Sequence, residues 1–576
     1  MRTWGKLLAA AAIVISAPAA AQEAVGNWAG VLEVTESVKL PLVVHILRDD
    51  SGAVTGTMDS PTQGAIGLPL AAIVTAPGTL MFTVPTIQGA YTSRWDANAK
   101  SWNGQWSQAG MTWPLVLAVP PPPQPLPADW TLPSDADLSS MIEARIAPRA
   151  GEGIVVGVLG PDGRRVVAGG PAGATAYNGD TLFEIGSISK VFTALILSDM
   201  VNKGQVALDD PAEKYLPAGA TMPARNGRKI TLADLATHTS GLPRMPDNMP
   251  FGDPDDPFAD YSETLMLQFL AGYELPRDVG EKWEYSNLGV GLLGYLLARA
   301  AGTDYPTLLH DRVTGPLGLD DTVIALSPAQ TARFAQGYDQ YMRPAKPWNL
   351  ATLSGAGAIR SSVNDMLKFA AAALDPGSPI AAAMTTALSV RRDIGNPRVE
   401  QALGWEIAHP EPDRDLLIHD GGTGGYRSVL ALEPSKGTAS VALVNSAAEP
   451  SASDLGIHAL IGSPVAPTPP VPAAPPAASV HTEITLPAAD LDKVVGRYVF
   501  GSGVVFNVEH VGNALRAQRQ GSATGPVLPI FPEAPLTFFW KAVDAQITFT
   551  TDASGTVTGA VFTQSGQTLT GQRALP

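Results

Sequence analysis

A serine and a lysine three residues apart, Ser187 and Lys190, stand at the start of an apolar stretch. If that stretch is a helix, the two positions share a face, so Lys190 Nζ can reach Ser187 Oγ. Backbone N–H groups at a helix N-terminus also favour developing negative charge. A lysine that is partly desolvated and held near other cations loses its proton more easily and can take one from serine. The pair therefore indicates nucleophilic catalysis, although S-x-x-K alone is common and Ser187 could simply cap the helix.

Two further polar elements follow along the chain. Tyr285 and Asn287 form a Y-x-N triplet that opens a second apolar stretch with helical spacing. His419 and Gly421 form an H-x-G element at the start of a predicted strand. The serine–lysine pair therefore does not stand alone.

In order and spacing, the three elements resemble the motifs of the serine β-lactamase and penicillin-binding protein superfamily. More narrowly, the chain looks like the branch that contains class C β-lactamases, D-aminopeptidases and family VIII esterases. The stretches Leu235–Pro243 and Gly355–Ser361 are similar to that branch as well. The resemblance covers roughly residues 135–463. The flanking parts resemble, more loosely, accessory barrels attached to some family members.

The resemblance implies a role for each residue of the first two motifs. Ser187 would be the acylated nucleophile, and Lys190 would be its proton partner. Tyr285 would be a general base whose phenol is kept acidic by neighbouring cations. Asn287 would donate a hydrogen bond to the substrate amide.

The third motif would supply contacts to the substrate. His419 stands where many relatives have the lysine of a K-T-G element. It would make a polar or cationic contact to the substrate or to Tyr285. This histidine departs from typical β-lactamases and recurs in the peptidase and esterase relatives. The oxyanion hole would consist of the backbone N–H groups of Ser187 and Gly422.

The rest of the composition excludes several other chemistries. The chain has no cysteine, which rules out disulfides, thiol nucleophiles and thiolate zinc sites. Its eight histidines are scattered and there is no H-E-x-x-H element, so we expect no metal and no other cofactor. We expect His238 to be a structural hydrogen-bonding residue at a helix end. The formal net charge of −16 repels phosphate backbones, so we expect no nucleic-acid partner.

Two proline-rich segments, 120–127 and 464–479, divide the chain of 576 residues. Segments of this composition favour extended spacers between domains. Alternating apolar residues with turn signals predict all-β domains at 22–119 and 480–576, the second of them barrel-like. The tryptophans of the first should pack in its core or at its rim.

The middle part, 128–463, must position the candidate residues. Strands at both ends around a helical middle predict one α+β domain in which the terminal strands join. The resemblance adds that this β-lactamase-like sheet is antiparallel and flanked by helices. The patterns are a hairpin at 153–168, helices at 191–202, 288–301 and 363–373, and strands at 426–432 and 439–444.

The N-terminus has the pattern of a secretory signal peptide, residues 1–21. A short basic start precedes an apolar run at 7–16, and small residues follow up to Ala21. The apolar run is shorter than the ~20 residues of a membrane span. We therefore expect cleavage after about Ala21, no stable membrane anchor, and a mature protein that is periplasmic or secreted.

These observations predict an exported serine hydrolase that opens an amide or ester bond through an acyl-enzyme. The expected partner is a small-molecule or peptide substrate: a peptide that contains D-amino acids, a β-lactam or a small ester. Two alternatives stay open. One is a carboxylesterase of the same fold, and the other is a catalytically weak protein that binds cell-wall peptides. The sequence does not indicate an oligomeric state.

Overall fold

The structure is a computed structural model that describes residues 24–34, 39–48, 52–60, 65–108, 111–120, 126–127, 129–171, 177–250, 252–451, 453–472, 481–500, 504–512, 514–520, 527–564 and 567–574. The predicted signal peptide lies outside these residues. The chain divides into two compact units, residues 1–123 with 520–524 and residues 124–519 with 525–576. None of the helices in the described ranges combines the length and apolar character that crossing a bilayer requires.

The first unit contains a nine-stranded antiparallel sheet. The two edge strands of this sheet follow one another directly in the chain. Leu70 lies between these two strands, and its N–H donates to the carbonyl of Gly56 at 2.9 Å. The two edges therefore lie close together, and the sheet nearly closes on itself. The tryptophans pack in its core or against it, which confirms their predicted place. The strands are β1 (Gly26–Glu33), β2 (Lys39–Arg48), β3 (Val54–Ser60), β4 (Ala65–Pro69), β5 (Ala71–Val74), β6 (Thr79–Val84), β7 (Gly89–Asp96), β8 (Ser101–Gln108) and β9 (Met111–Ala118).

The second unit is built on an eight-stranded antiparallel sheet in the order β11-β10-β21-β20-β19-β18-β17-β16. Strand β10 of the first hairpin pairs with the last strand, β21, and Ile154 lies opposite Val444. This pairing confirms the prediction that the terminal strands lie in one sheet. Two short pairs, β12 with β15 and β13 with β14, lie outside this sheet. The strands are β10 (Ile154–Gly160), β11 (Gly163–Gly169), β12 (Leu182–Glu184), β13 (Ala224–Arg225), β14 (Arg228–Lys229), β15 (Arg360–Ser362), β16 (Arg392–Asp393), β17 (Val399–Gln401), β18 (Glu406–Glu411), β19 (Arg414–Gly422), β20 (Arg427–Glu433) and β21 (Thr438–Val444).

Helices cover both faces of the eight-stranded sheet, so successive strand residues enter two different cores. Val155 packs in the larger core on one face, whereas Ile154 and Val156 pack in a smaller core on the other. The three predicted helices are confirmed as α2, α5 and α9. The helices are α1 (Asp135–Ile146), α2 (Ser189–Asn202), α3 (Leu232–Ala236), α4 (Glu263–Gly272), α5 (Asn287–Ala301), α6 (Tyr305–Leu309), α7 (Pro328–Thr331), α8 (Ser354–Gly357), α9 (Val363–Leu374), α10 (Ala381–Ser389) and α11 (Ser453–Ile461).

The C-terminal part forms a closed barrel with its own aromatic core, which includes Tyr498, Phe538 and Phe549. The predicted architecture, an α+β domain with an antiparallel sheet flanked by helices together with smaller barrel-like all-β sheets, is confirmed. The domain boundaries at 119, 127, 463 and 479 stay predictions. The barrel elements are α12 (Ala488–Lys493), β22 (Gly496–Phe500), β23 (Val505–Val511), β24 (Ala514–Gln520), β25 (Val527–Ala534), β26 (Thr537–Trp540), β27 (Ala545–Thr551), β28 (Val557–Gln564) and β29 (Gln567–Arg573).

A close contact between the turn before α2 and strand β19 determines where Ser187 lies. Gly186 opens this 3₁₀ turn with φ +51°, a left-handed conformation that glycine adopts without a steric penalty. A Cβ at Gly421 would overlap the carbonyl oxygen of Ile185, so only glycine fits there. Ser428 Oγ, from β20, donates to the same carbonyl at 2.9 Å. The turn is therefore held directly against the sheet.

Gly421→Ala should destabilise the protein and slow its turnover, because the added methyl group pushes β19 away from the Ile185 carbonyl. Overpacking of this kind costs roughly 1–3 kcal/mol. Thermal unfolding and turnover of this variant should be compared with those of Gly272→Ala, where a Cβ meets nothing within 4 Å. The control should stay within about 0.5 kcal/mol of the parent protein. Equal stability of the two variants would contradict the close contact.

Candidate active site

Ser187 lies in the turn directly before α2, and its side chain is half-buried. The cap residue of α2 is Ile188, which makes no side-chain hydrogen bond, so Ser187 Oγ does not serve as the helix cap. Oγ lies 2.9 Å from Lys190 Nζ and 2.7 Å from Tyr285 OH. The spacing of three residues thus brings lysine to serine, as predicted, although the serine precedes the α-helix rather than belonging to it.

Lys190 is fully buried in the first turn of α2. Its Nζ lies 2.9 Å from Asn287 Oδ1 and 2.7 Å from the carbonyl oxygen of Ala356. Burial lowers the pKa of Lys190 well below its ordinary value, and the positive charge of Arg244 lowers it further, while Asp420 opposes the change. The amine is therefore held in the neutral form far more readily than an exposed lysine.

The three contacts of Lys190 determine how its neutral amine is oriented. A neutral amine has two N–H bonds and one lone pair, and the carbonyl oxygens of Asn287 and Ala356 can only accept. Both N–H bonds therefore donate to these oxygens. The lone pair then faces the remaining neighbour, Ser187 Oγ, which is the one that can donate a proton.

Tyr285 lies between aromatic and cationic neighbours. Lys190 Nζ is 4.9 Å and the Arg244 guanidinium carbon 5.0 Å from the centre of its ring. Burial nevertheless raises the pKa of Tyr285, and Asp420 adds to the rise, against lowering by the Ser187 hydrogen bond and by Arg244. The prediction of an acidic phenol is therefore wrong for this state: the positive charge of Arg244 is present, but desolvation of the phenolate outweighs it. Tyr285 is a neutral phenol whose O–H donates to Ser187 Oγ.

Asn287 begins α5, which Ser286 caps by accepting the N–H of Gly289 at 2.8 Å. The Asn287 N–H donates to the carbonyl of Arg244 at 3.0 Å, which holds the side chain in place. With Oδ1 bound to Lys190, Nδ2 faces Met245 Sδ at 3.8 Å. Donation by Asn287 to a substrate amide stays a prediction, and Nδ2 is the group that would donate.

His419 lies in β19 and is buried. Its Nδ1 is 2.6 Å from the carbonyl oxygen of Asp420, which can only accept, so Nδ1 carries the proton and Nε2 presents a lone pair. Burial lowers the pKa of His419 to about 4, with Lys190 as the second cause. The prediction of a cationic contact from His419 is therefore wrong at neutral pH. A polar contact to substrate or to Tyr285 stays a prediction.

Gly422 ends β19 beside the turn that carries Ser187. Its amide nitrogen lies 2.6 Å from the position that a Cβ on Gly186 would occupy. The backbone groups of the serine turn and of this strand end are therefore neighbours, as an oxyanion hole would require. The role of the Gly422 N–H in such a hole stays a prediction.

Two residues that the sequence analysis did not place at the site, His238 and Arg244, belong to it. His238 is buried with φ +59°, its Nδ1 accepts the N–H of Ser286 at 3.1 Å, and its carbonyl accepts the N–H of Glu284 at 2.8 Å. Its ring packs on Tyr285 with 4.4 Å between centroids. The predicted structural hydrogen-bonding role is thus confirmed, but it acts on the tyrosine segment. Both residues lie in or next to the 235–243 stretch, whose resemblance to the family was the available signal.

A nucleophilic serine within hydrogen-bonding distance of a buried lysine and a tyrosine, on an antiparallel sheet flanked by helices, is the arrangement of a serine hydrolase. The chain belongs to the beta-lactamase family, whose sequence model matches residues 138–462.

Three curated relatives illustrate the range of this family. The D-alanyl-D-alanine-carboxypeptidase/endopeptidase AmpH of Escherichia coli K12 is 33% identical over 273 residues, which cover 45% of this chain and 69% of that protein. A beta-lactamase of Pseudomonas fluorescens is 29% identical over 261 residues, which cover 45% and 67%. Penicillin-binding protein 4* of Bacillus subtilis strain 168 is 26% identical over 396 residues, which cover 64% and 83%.

Tyr285→Phe should lower kcat because it removes the O–H that donates to Ser187 Oγ while it keeps the ring packed on His238. Proton-transfer groups contribute roughly 10²–10⁴ in rate, and we expect a loss in that range. Steady-state kinetics with an ester or amide substrate measure it, with circular dichroism as the control for folding. A variant with kcat within about threefold of the parent would show that the phenol is not needed.

Arg244→Gln should move the acid limb of the kcat/KM pH profile to higher pH. The positive charge of Arg244 lowers the pKa of Lys190, and Lys190 must be neutral to accept a proton from Ser187. The reaction therefore needs a pH above that pKa, and loss of the charge raises the pKa. Arg244→Lys keeps the charge and should keep the profile closer to that of the parent. An acid limb that does not move in Arg244→Gln would contradict this coupling.

Proposed function

We propose that this protein is an exported serine hydrolase that cleaves amide or ester bonds through an acyl-enzyme on Ser187. The observation that carries the proposal is the geometry of Lys190. Its two N–H bonds are directed to the carbonyl oxygens of Asn287 and Ala356, which leaves the lone pair for Ser187 Oγ. A structural lysine would gain nothing from burial without a carboxylate partner, whereas a general base requires it.

Acylation begins when Ser187 Oγ bonds to the substrate carbonyl carbon and its proton passes to Lys190 Nζ. The backbone N–H groups of Ser187 and Gly422 donate to the oxygen that becomes negative. The Tyr285 O–H delivers a proton to the leaving nitrogen or oxygen, and Lys190 returns a proton to Tyr285. The leaving group departs, and Ser187 carries the acyl group as an ester.

Deacylation repeats these transfers with water. A water molecule loses a proton to the tyrosine–lysine pair as its oxygen bonds to the ester carbon. Collapse of the intermediate releases the acid, and the same pair returns the proton to Ser187 Oγ. Each base is thereby restored, and no other reactant is consumed.

Peptides that contain D-amino acids, β-lactams and small esters are the substrate classes we propose. The names of the relatives, a D-alanyl-D-alanine-carboxypeptidase/endopeptidase and beta-lactamases, support the first two. Export is supported by the basic, apolar and small-residue pattern of residues 1–21, and the proposed location is the periplasm or the medium.

Ser187→Ala should abolish covalent labelling by a neutral fluorophosphonate and by a fluorescent penicillin, and it should abolish turnover of nitrocefin, p-nitrophenyl esters or D-amino-acid anilides. Ser198→Ala is a suitable control, because Ser198 lies in α2, the helix that follows Ser187, and within the described residues its Oγ donates to the carbonyl of Ala194 alone. Intact-mass and peptide spectra should place the adduct on Ser187 in the parent and in the control. An adduct on another residue, or no adduct and no turnover in the folded parent, would overturn the proposal and favour a binding protein.

A further inference from the structure

The two N–H groups that we assign to the oxyanion hole belong to two chain segments that touch each other. Ser187 follows β12 through the turn that begins at Gly186, and Gly422 ends β19. The amide nitrogen of Gly422 lies 2.6 Å from the position that a Cβ on Gly186 would occupy. A shift of one segment against the other would move one N–H relative to the second. A group that links the two segments therefore determines the geometry of the hole.

Two buried polar side chains link these segments, one from each. Glu184 ends β12, three residues before Ser187, and Thr423 directly follows Gly422. Glu184 is 3% exposed and Thr423 is 5% exposed. The Thr423 hydroxyl lies close enough to the Glu184 carboxyl to lower the pKa of that carboxyl through hydrogen bonding. The pair therefore connects the turn that carries the nucleophile to the strand end that carries the second N–H.

The other contacts of Glu184 leave one of its oxygens for Thr423. Oε1 accepts the backbone N–H of Trp348 at 2.9 Å and lies 3.4 Å from Nη2 of Arg360, the residue opposite Glu184 in the β12–β15 pair. Among the described residues, neither Glu184 Oε2 nor the Thr423 hydroxyl has a hydrogen bond to any other group. A buried polar atom without a partner is costly, so each of these two groups needs the other.

The charge of Glu184 changes near neutral pH. Burial raises the pKa of Glu184 to about 7 against the opposing effects of its hydrogen-bond donors and Arg360, and the negative charge of Asp256 adds to the rise. Tyr426 is a neutral neighbour, because burial and Glu184 both raise its pKa. Glu184 is therefore a neutral carboxyl in mildly acidic solution and a carboxylate in mildly basic solution. A carboxylate so close to the serine turn repels the negative oxygen of the tetrahedral intermediate.

We propose that Glu184 and Thr423 are positioning residues of the oxyanion hole, which hold the serine turn against the end of β19 and support the hole best while Glu184 is neutral. The inference rests on the proposed acyl transfer at Ser187 and deepens it. A glutamate that only supported the fold would affect stability without changing how the rate responds to pH. The pH dependence of the rate therefore separates the two roles.

Removal of the Thr423 hydroxyl tests the link between the segments. Labelling of the full-length enzyme by a neutral fluorophosphonate gives kinact, the limiting rate of Ser187 modification, and KI, the apparent binding constant of the probe. Thr423→Val should lower kinact by roughly tenfold and keep KI within about twofold, because the hole acts on the transition state. Thr423→Ser keeps the hydroxyl and should keep kinact within about threefold of the parent. Thr423→Val with the kinact of the parent would overturn the proposed link.

Glu184→Gln tests the charge, because glutamine keeps hydrogen-bonding groups but does not ionise. Both proteins contain Lys190, so its ionisation cancels in the ratio of their kinact values. We expect the ratio of parent to Glu184→Gln to be about 1 at about pH 6 and roughly threefold to tenfold lower at about pH 8. The same ratio at both pH values would show that the charge of Glu184 has no such effect. If Thr423→Val does not fold by circular dichroism, this ratio decides the proposal.

Glu433→Gln is the matched control. Glu433 is also buried beside an arginine, with its oxygens 2.8 Å and 3.0 Å from Arg414 nitrogens, but it lies at the other end of β20 from Arg427, which pairs with Gly422. The ratio of parent to Glu433→Gln should not change with pH. If it changes as it does for Glu184→Gln, the proposal is wrong. If Ser187 of the folded parent is not labelled at all, the hydrolase function fails and this inference fails with it.

Discussion

The burial of the Lys190 amine is the constraint from which the rest of the site follows. An ammonium group withdrawn from water without a carboxylate partner is strongly disfavoured, so the folded chain favours the neutral amine. The apolar character of α2 on nearly all its faces provides that burial. Two carbonyl oxygens, from α5 and from α8, then satisfy the N–H bonds and direct the lone pair. A charged lysine in the same place would need a carboxylate, and a carboxylate there would remove the base.

The site also requires three segments that are distant in the sequence to be positioned accurately against one another. The serine turn is held against β19 because glycine occupies both sides of the contact, at Gly186 and Gly421. The tyrosine segment is held from behind by His238, which bonds two of its backbone N–H groups and packs on the phenol ring. The left-handed backbone of His238 is unusual for a residue with a side chain, and such strain is retained where position matters.

Local spacing was sufficient to predict some of these features and could not predict others. The serine–lysine contact follows from helical periodicity, and the helices around Val191, Leu288 and Val363 follow from apolar patterns. The charge states of Tyr285 and His419 depend on how deeply each group is buried, and burial is decided by elements far away in sequence. A sequence pattern that places positive charge near a phenol predicts a lower pKa for the phenol. It does not reveal the larger rise in pKa that burial causes. Similarly, His238 shows its importance only once its ring is seen against Tyr285.

The central sheet has a consequence for how the chain is made. Gly153 and Asn445, which are 292 residues apart, are joined by a hydrogen bond at the end of the β10–β21 ladder. During synthesis the first hairpin must therefore wait, with one edge of β10 unpaired, until nearly the whole domain has left the ribosome. Pairing over such a separation is slow, and an unpaired apolar edge invites association with other chains. Until β21 arrives, that edge is open to association with other chains, and the same delay keeps the chain unfolded for longer than a domain built from local contacts.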